Sequence, residues 1–241
     1  MKFCESCLVK KTIQAGKKTE VCLYYAPPAR KPREPRRNVH DTRQHEKNRR
    51  TAIRKVERLI LQNFTDKERV AILTYRDTAL LKKGMTQGLS ADEEAKYMYK
   101  MAQKELSKFF DRLRRICKKE GVPLFYIAVT SDLDKDGDTP KQIHHHLIIN
   151  YEAHSYMQDA WGDRGLVETK PIYPNHDKSP LAAYFLLQTH HIWGSRSYVA
   201  SQNLKQPYVS CCLALSDALP PPPPDAFDIQ NDSRRMSYYR H

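Results

Sequence analysis

Gln142–Asn150, reading Gln-Ile-His-His-His-Leu-Ile-Ile-Asn, is the stretch that most limits what this chain can fold into. Three consecutive histidines run into three aliphatics between β-branched residues, a composition that suits a buried strand. Strand side chains alternate faces, so His144 and His146 share one face and His145 takes the other. The same-face pair lies roughly 6.6 Å apart along the strand, near enough to converge on one ion. A polar strand end would also account for histidines, and so would a purification tag. A tag is terminal and does not continue into Leu147-Ile148-Ile149, so metal binding is the reading adopted.

The whole chain narrows the partner class. Its 241 residues fit one domain with tails, or two small ones. Lys and Arg number 41 against 28 Asp and Glu, a net charge of +13 that makes a polyanion the natural partner. Residues 1–60 hold 17 of the basic residues and 6 of the acidic ones, so +11 of the excess lies there. No apolar run approaches the ~20 residues of a membrane helix, and neither a membrane partner nor an export leader is expected. The six cysteines are accordingly expected as reduced thiols rather than a disulfide framework.

Cys4 and Cys7 have C-x-x-C spacing, with Cys22 and His40 as further donors. They suit either half of a zinc site or thiols in a loose arm. Arg30–Arg37 is a proline-spaced basic linker. Helical spacing of Ile53, Val56, Leu59 and Ile60 predicts a helix over 42–63. Its Arg49, Arg50, Arg54 and Lys55 are either DNA-backbone contacts or a solvated face. Val70–Tyr75 reads as the first core strand. A helix over 91–119 follows, capped by Ser90 ahead of Glu93 and ended by Gly121. Leu124–Thr130 is the second strand. The acidic turn Asp132–Asp138 opens like a calcium loop but puts Ile143 at the twelfth position, so it is read as a hairpin turn. A short helix near 154–161 and a strand over 166–169 come next. Ser179-Pro180 then opens a helix over 181–189 that carries Tyr184. Beyond Asp217, the prolines at 220–224 and the polar tail are expected to be disordered or extended.

His-x-His followed by aliphatics resembles the signature of HUH endonucleases, and the likeness extends along the chain. Asn63-Phe64 with Ile72-Leu73-Thr74-Tyr75 is similar to the first motif of the rolling-circle replication initiators in that superfamily. His144-His145-His146 resembles the second, with His145 where a bulky apolar residue is usual. Ala182-Ala183-Tyr184 resembles the third, and Ser201–Pro207 the ending. Tyr184 has no second tyrosine one turn away, which implies the single-tyrosine branch. Leu187 replaces the lysine of Tyr-x-x-Lys, whereas Tyr184 and Gln188 match the Tyr-x-x-x-Gln of single-tyrosine HUH transposases, whose glutamine completes a metal site.

The resemblance implies an α+β fold, a central antiparallel sheet of ferredoxin-like type with helices packed on one face. The expected layout is a basic arm over 1–41, the endonuclease domain over 42–215, and a disordered tail over 216–241. Tyr184 is the expected nucleophile on single-stranded origin DNA, leaving a 5′-phosphotyrosine and a 3′-hydroxyl that primes replication. His144 and His146 are the expected ligands of Mg²⁺ or Mn²⁺. Gln188 is the favoured third ligand, with Ser131 and Asp132 as rivals. Implied partners are an origin hairpin and the host helicase and polymerase, in the cytoplasm of a bacterial host. A transposase or relaxase using the same site, and a nucleic-acid-binding protein that cuts nothing, are the alternatives.

Overall fold

A computed structural model describes residues 7–26, 42–133, 140–172, 178–189, 196–232 and 236–240. The Arg30–Arg37 linker, Cys4, His40, Tyr173 and most of the acidic turn lie outside the described residues. The architecture is α+β with two antiparallel five-stranded sheets. The chain divides into two units: Gln44–Ile60 with Phe64–Leu204, and Met1–Arg43 with Leu61–Asn63 and Lys205–His241.

The larger unit is built on β3 (Arg69–Thr74), β4 (Tyr126–Leu133), β5 (Pro140–Ile149), β6 (Val167–Pro171) and β7 (Val199–Ala200). Their spatial order is β6-β3-β5-β4-β7, with the histidine strand in the middle. The expected antiparallel pairing of β4 with β5 is present, Tyr126 opposite Ile149 and Ser131 opposite His144. Helix α3 (Ala91–Lys119) forms where its signals put it. Ser90 and Glu93 make a capping box, and Gly121 follows the helix at a φ of 68°. Its buried face carries Leu106, Phe109, Phe110 and Leu113, each worth about 1.5–3 kcal/mol of burial.

Helices cover both faces of this sheet, which corrects the expectation of one. Helix α3 and the short α5 (Met157–Trp161) pack on the face that carries Ala71, Leu73, Ala128, Leu147 and Ile149. On the other, α1 (Thr42–Asn63) and α6 (Ser179–Leu187) enclose Ile127, Val129 and Ile148. The reason is in the strands themselves. Ile127-Ala128-Val129 and Leu147-Ile148-Ile149 are apolar on consecutive residues, so both faces must leave water.

The smaller unit departs most from expectation. Residues expected to be a loose arm form a hairpin, β1 (Leu8–Ala15) and β2 (Lys18–Tyr25). Residues expected to continue the domain or a disordered tail form β8 (Tyr208–Leu213), β9 (Phe227–Asp232) and β10 (Met236–Arg240). The sheet order is β8-β1-β2-β10-β9, so the N-terminal hairpin lies between strands from the C-terminal end of the chain. The hairpin turns tightly at Gly16, whose φ is 57°. Lysine-rich β1 disguises its apolar positions Val9, Ile13 and Ala15, which become legible only once β8 pairs beside them. Cys7 is disulfide-bonded rather than the reduced thiol expected.

Candidate metal centre and nucleophile

Strand alternation splits the three histidines as expected. His145 lies on the α3 face, fully buried, with Tyr75 Oη 2.8 Å from its Nε2 and Thr130 Oγ1 3.1 Å from its Nδ1. Trp161 meets its ring edge-on and donates from Nε1 to the Thr74 carbonyl oxygen at 3.0 Å. Burial pushes the His145 pKa down to about 3, helped by the neighbouring His144 and His146. A neutral imidazole with both nitrogens bonded is a structural pin, and no strand-level signal marked its partners.

His144 and His146 sit on the α1/α6 face, 4% and 1% exposed. The Gln142 carbonyl oxygen lies 2.8 Å from His144 Nδ1 and can only accept, so Nδ1 carries the proton and Nε2 keeps its lone pair. His144 Nε2 lies 3.1 Å from His146 Nε2, which lies 3.0 Å from Gln188 Oε1. Gln188 Nε2 donates to the Tyr184 carbonyl oxygen at 2.9 Å, turning Oε1 toward the imidazoles. Burial lowers the His144 pKa, and lowers that of His146 to about 4, so both rings are neutral at pH 7.

These atoms suit a hard to borderline divalent cation. Adjacent ligands of an octahedral ion with bonds of about 2.1 Å lie about 3.0 Å apart, close to the separations seen. Neutral imidazole nitrogens and an amide oxygen are acceptable donors to Mn²⁺ or Mg²⁺. Among the described residues no three His, Cys, Asp or Glu side chains converge, and the third polar atom beside the two imidazoles is Gln188 Oε1. Asp132 lies near the end of β4, where its charge bears on both Tyr99 and His144. The hydrogen bond to His146 belongs to Gln188.

Tyr184 stands at the edge of this group. Its ring meets His146 edge-on at 5.4 Å between centroids, and it is 43% exposed, unlike the buried Phe185 beside it. Helix α6 ends at Leu187, and Gln188 is its C-cap rather than a helical residue. The Gln188 carbonyl oxygen accepts from the backbone N–H groups of Asp132 and Leu133, both at 3.1 Å. The end of α6 is thereby tied to the strand next to the histidines.

The remaining expected residues are spread more widely. Arg49 and Arg50 both pair with Glu46, at 2.7 and 2.8 Å, which offsets part of their charge. Arg54 and Lys55 are exposed on α1. The Ser201–Pro207 stretch has a structural task. Ser201 exchanges hydrogen bonds with the backbone of Tyr126, and Asn203 donates to the Leu124 carbonyl oxygen. Among the described residues no helix is long and apolar enough to cross a membrane. Neither a family model nor a curated protein nor a solved structure matches the chain.

Proposed function

We propose that this chain is a single-tyrosine HUH endonuclease that nicks and rejoins single-stranded origin DNA to start rolling-circle replication. The observation that carries the reading is the convergence of His144 Nε2, His146 Nε2 and Gln188 Oε1 beside the exposed Tyr184. On this reading the histidine-bearing sheet is of ferredoxin-like type. The DNA meets it from the α1/α6 side, and the protein works in the cytoplasm of a bacterial host.

The chemistry follows from residue types. Tyr184 Oη attacks the scissile phosphorus, the new Oη–P bond forms, and the P–O3′ bond breaks. The tyrosine proton passes to solvent and the departing 3′-oxygen takes one up. The phosphotyrosine conserves the ester, so the reverse attack by a 3′-hydroxyl rejoins the strand without a nucleotide cofactor. His144, His146 and Gln188 would hold Mg²⁺ or Mn²⁺, which supplies charge stabilisation to the phosphate oxygens. Burial keeps both imidazoles neutral, so each ring has one lone pair; His144 holds its own at Nε2, and His146 would present one there with its proton on Nδ1. The free 3′-hydroxyl serves the host polymerase, with the host helicase opening the duplex ahead of it.

A second reading has its own support. Gln188, with Leu187 in place of a lysine, is the arrangement of the single-tyrosine transposases, which run the same two ester exchanges between mobile-element ends. Incubation with hairpin-bearing single-stranded DNA and Mn²⁺ tests the shared chemistry. The expected result is a denaturant-resistant protein–DNA adduct, lost in Tyr184→Phe but kept in Tyr198→Phe. No adduct from the wild-type chain on any single-stranded substrate would leave a binding protein. Initiator and transposase separate on whether the favoured substrate is an origin hairpin or an element end.

A further inference from the structure

The β4 strand contributes Ile127, Val129 and Ser131 to the face that holds His144 and His146. The first two are apolar and belong to the core beneath α1 and α6. Ser131 is 0% exposed, and among the described residues its hydroxyl has no hydrogen-bond partner. A hydroxyl buried without a partner destabilises the fold, and alanine would fill the place without that cost. Its neighbours show what it faces. Ser131 pairs directly across the ladder with His144, and directly opposed strand residues have Cβ atoms about 4.5–5.5 Å apart on one face. The next two residues, Asp132 and Leu133, donate their N–H groups to the carbonyl oxygen of Gln188. Ser131 thus stands between a histidine and the glutamine of the converging set, and is the polar residue that β4 adds to that space.

We propose that Ser131 is a positioning residue of the cation site, its Oγ accepting a hydrogen bond from the hydration shell of an ion held by His144, His146 and Gln188. Three protein donors leave up to three positions of a six-coordinate ion to water and phosphate. Outer-shell hydrogen bonds orient such groups and tighten the ion. This inference rests on the cation site proposed above and adds a residue whose side chain is too short to be assumed a direct ligand.

Mn²⁺ titration of the full-length chain, by calorimetry and by the electron paramagnetic resonance of free Mn²⁺, tests it together with melting of the metal-free protein. Ser131→Ala is expected to weaken Mn²⁺ binding about tenfold while the metal-free Tm stays level or rises, because an orphaned hydroxyl has gone. Ser131→Thr keeps the hydroxyl and should restore most of the affinity. An unchanged Mn²⁺ affinity in Ser131→Ala overturns the inference and leaves the cation site standing. A lowered metal-free Tm in Ser131→Ala, with no recovery of affinity in Ser131→Thr, makes the residue structural and also overturns it. A wild-type chain that takes up no Mn²⁺ overturns the cation site itself, and the role of Ser131 with it.

Discussion

The two five-stranded sheets are made by opposite strategies. The histidine-bearing sheet draws all its strands from residues 69–200, and helices close both of its faces. The other sets the N-terminal hairpin between strands from the C-terminal end of the chain, and its outer strands β8 and β9 stay open to solvent. Tyr208, Leu213 and Phe227 are 65%, 56% and 54% exposed there. The difference decides what each can carry. Polar groups set between two packed layers hold fixed positions, as the bonded His145 and the facing His144 and His146 do. Among the described residues, the terminal sheet buries polar groups only on its inner strands, Thr19 and Glu20 on β2 and Ser237 on β10.

Removing residues 1–40 should have the largest effect, and on the terminal sheet alone. That deletion takes β1 and β2 out of the middle of the terminal sheet, and leaves β8 without a strand to pair with. Hydrogen exchange should then show lost protection over 208–213 and 227–240, with the amides of β5 still protected. Protection that survives at 208–213 and 227–232 would show that the terminal sheet does not depend on the N-terminal hairpin. Lost protection there would make truncation of the basic arm expected over 1–41 a structural lesion.

Next in size is the pin behind the site. His145→Ala removes a fully buried ring with both nitrogens bonded and should cost about 3 kcal/mol of stability, read by urea unfolding. The histidines also set an acid limit. The His145 pKa is held at about 3 and that of His146 at about 4, while an unfolded histidine titrates near 6.5. A depressed folded pKa contributes stability above the unfolded value that is lost as protons bind the unfolded chain. Stability should therefore fall steadily from about pH 6.5 toward pH 4, and the fall should be shallower in His145→Ala. An equal acid loss in both proteins would put the titration elsewhere.

Smaller again is the choice of third ligand. Gln188→Ala should raise the Mn²⁺ needed for adduct formation about 10- to 100-fold, and Asp132→Ala should stay near wild type. The reverse order would move the ligand to the end of β4 and leave Gln188 as a cap on α6. The smallest effect concerns α1. Replacing Arg54 and Lys55 together by alanine should lower the log–log salt slope of single-stranded DNA binding by about 1.4 if both meet phosphates. An unchanged slope would make them a solvated face, as Arg49 and Arg50 already partly are through Glu46.

Much of the site was legible before folding was considered. Period-two alternation puts His144 and His146 together, and Ser90, Glu93 and Gly121 bracket α3, because these signals act between residues a few positions apart. The join of Tyr184 to Gln188 is likewise local. What only the tertiary structure decided is which atoms meet across long separations. Tyr75, just beyond β3, and Thr130 on β4 close on His145, and Gln188 leaves the helix to cap it and to hold Asp132 and Leu133. Ser131 acquires meaning only from its partner in the ladder. The terminal sheet shows the limit most plainly: a lysine-rich hairpin and a proline-interrupted tail each look unable to fold alone. They become strands because each satisfies the other's backbone hydrogen bonds from the far end of the chain, a pairing that no local periodicity encodes.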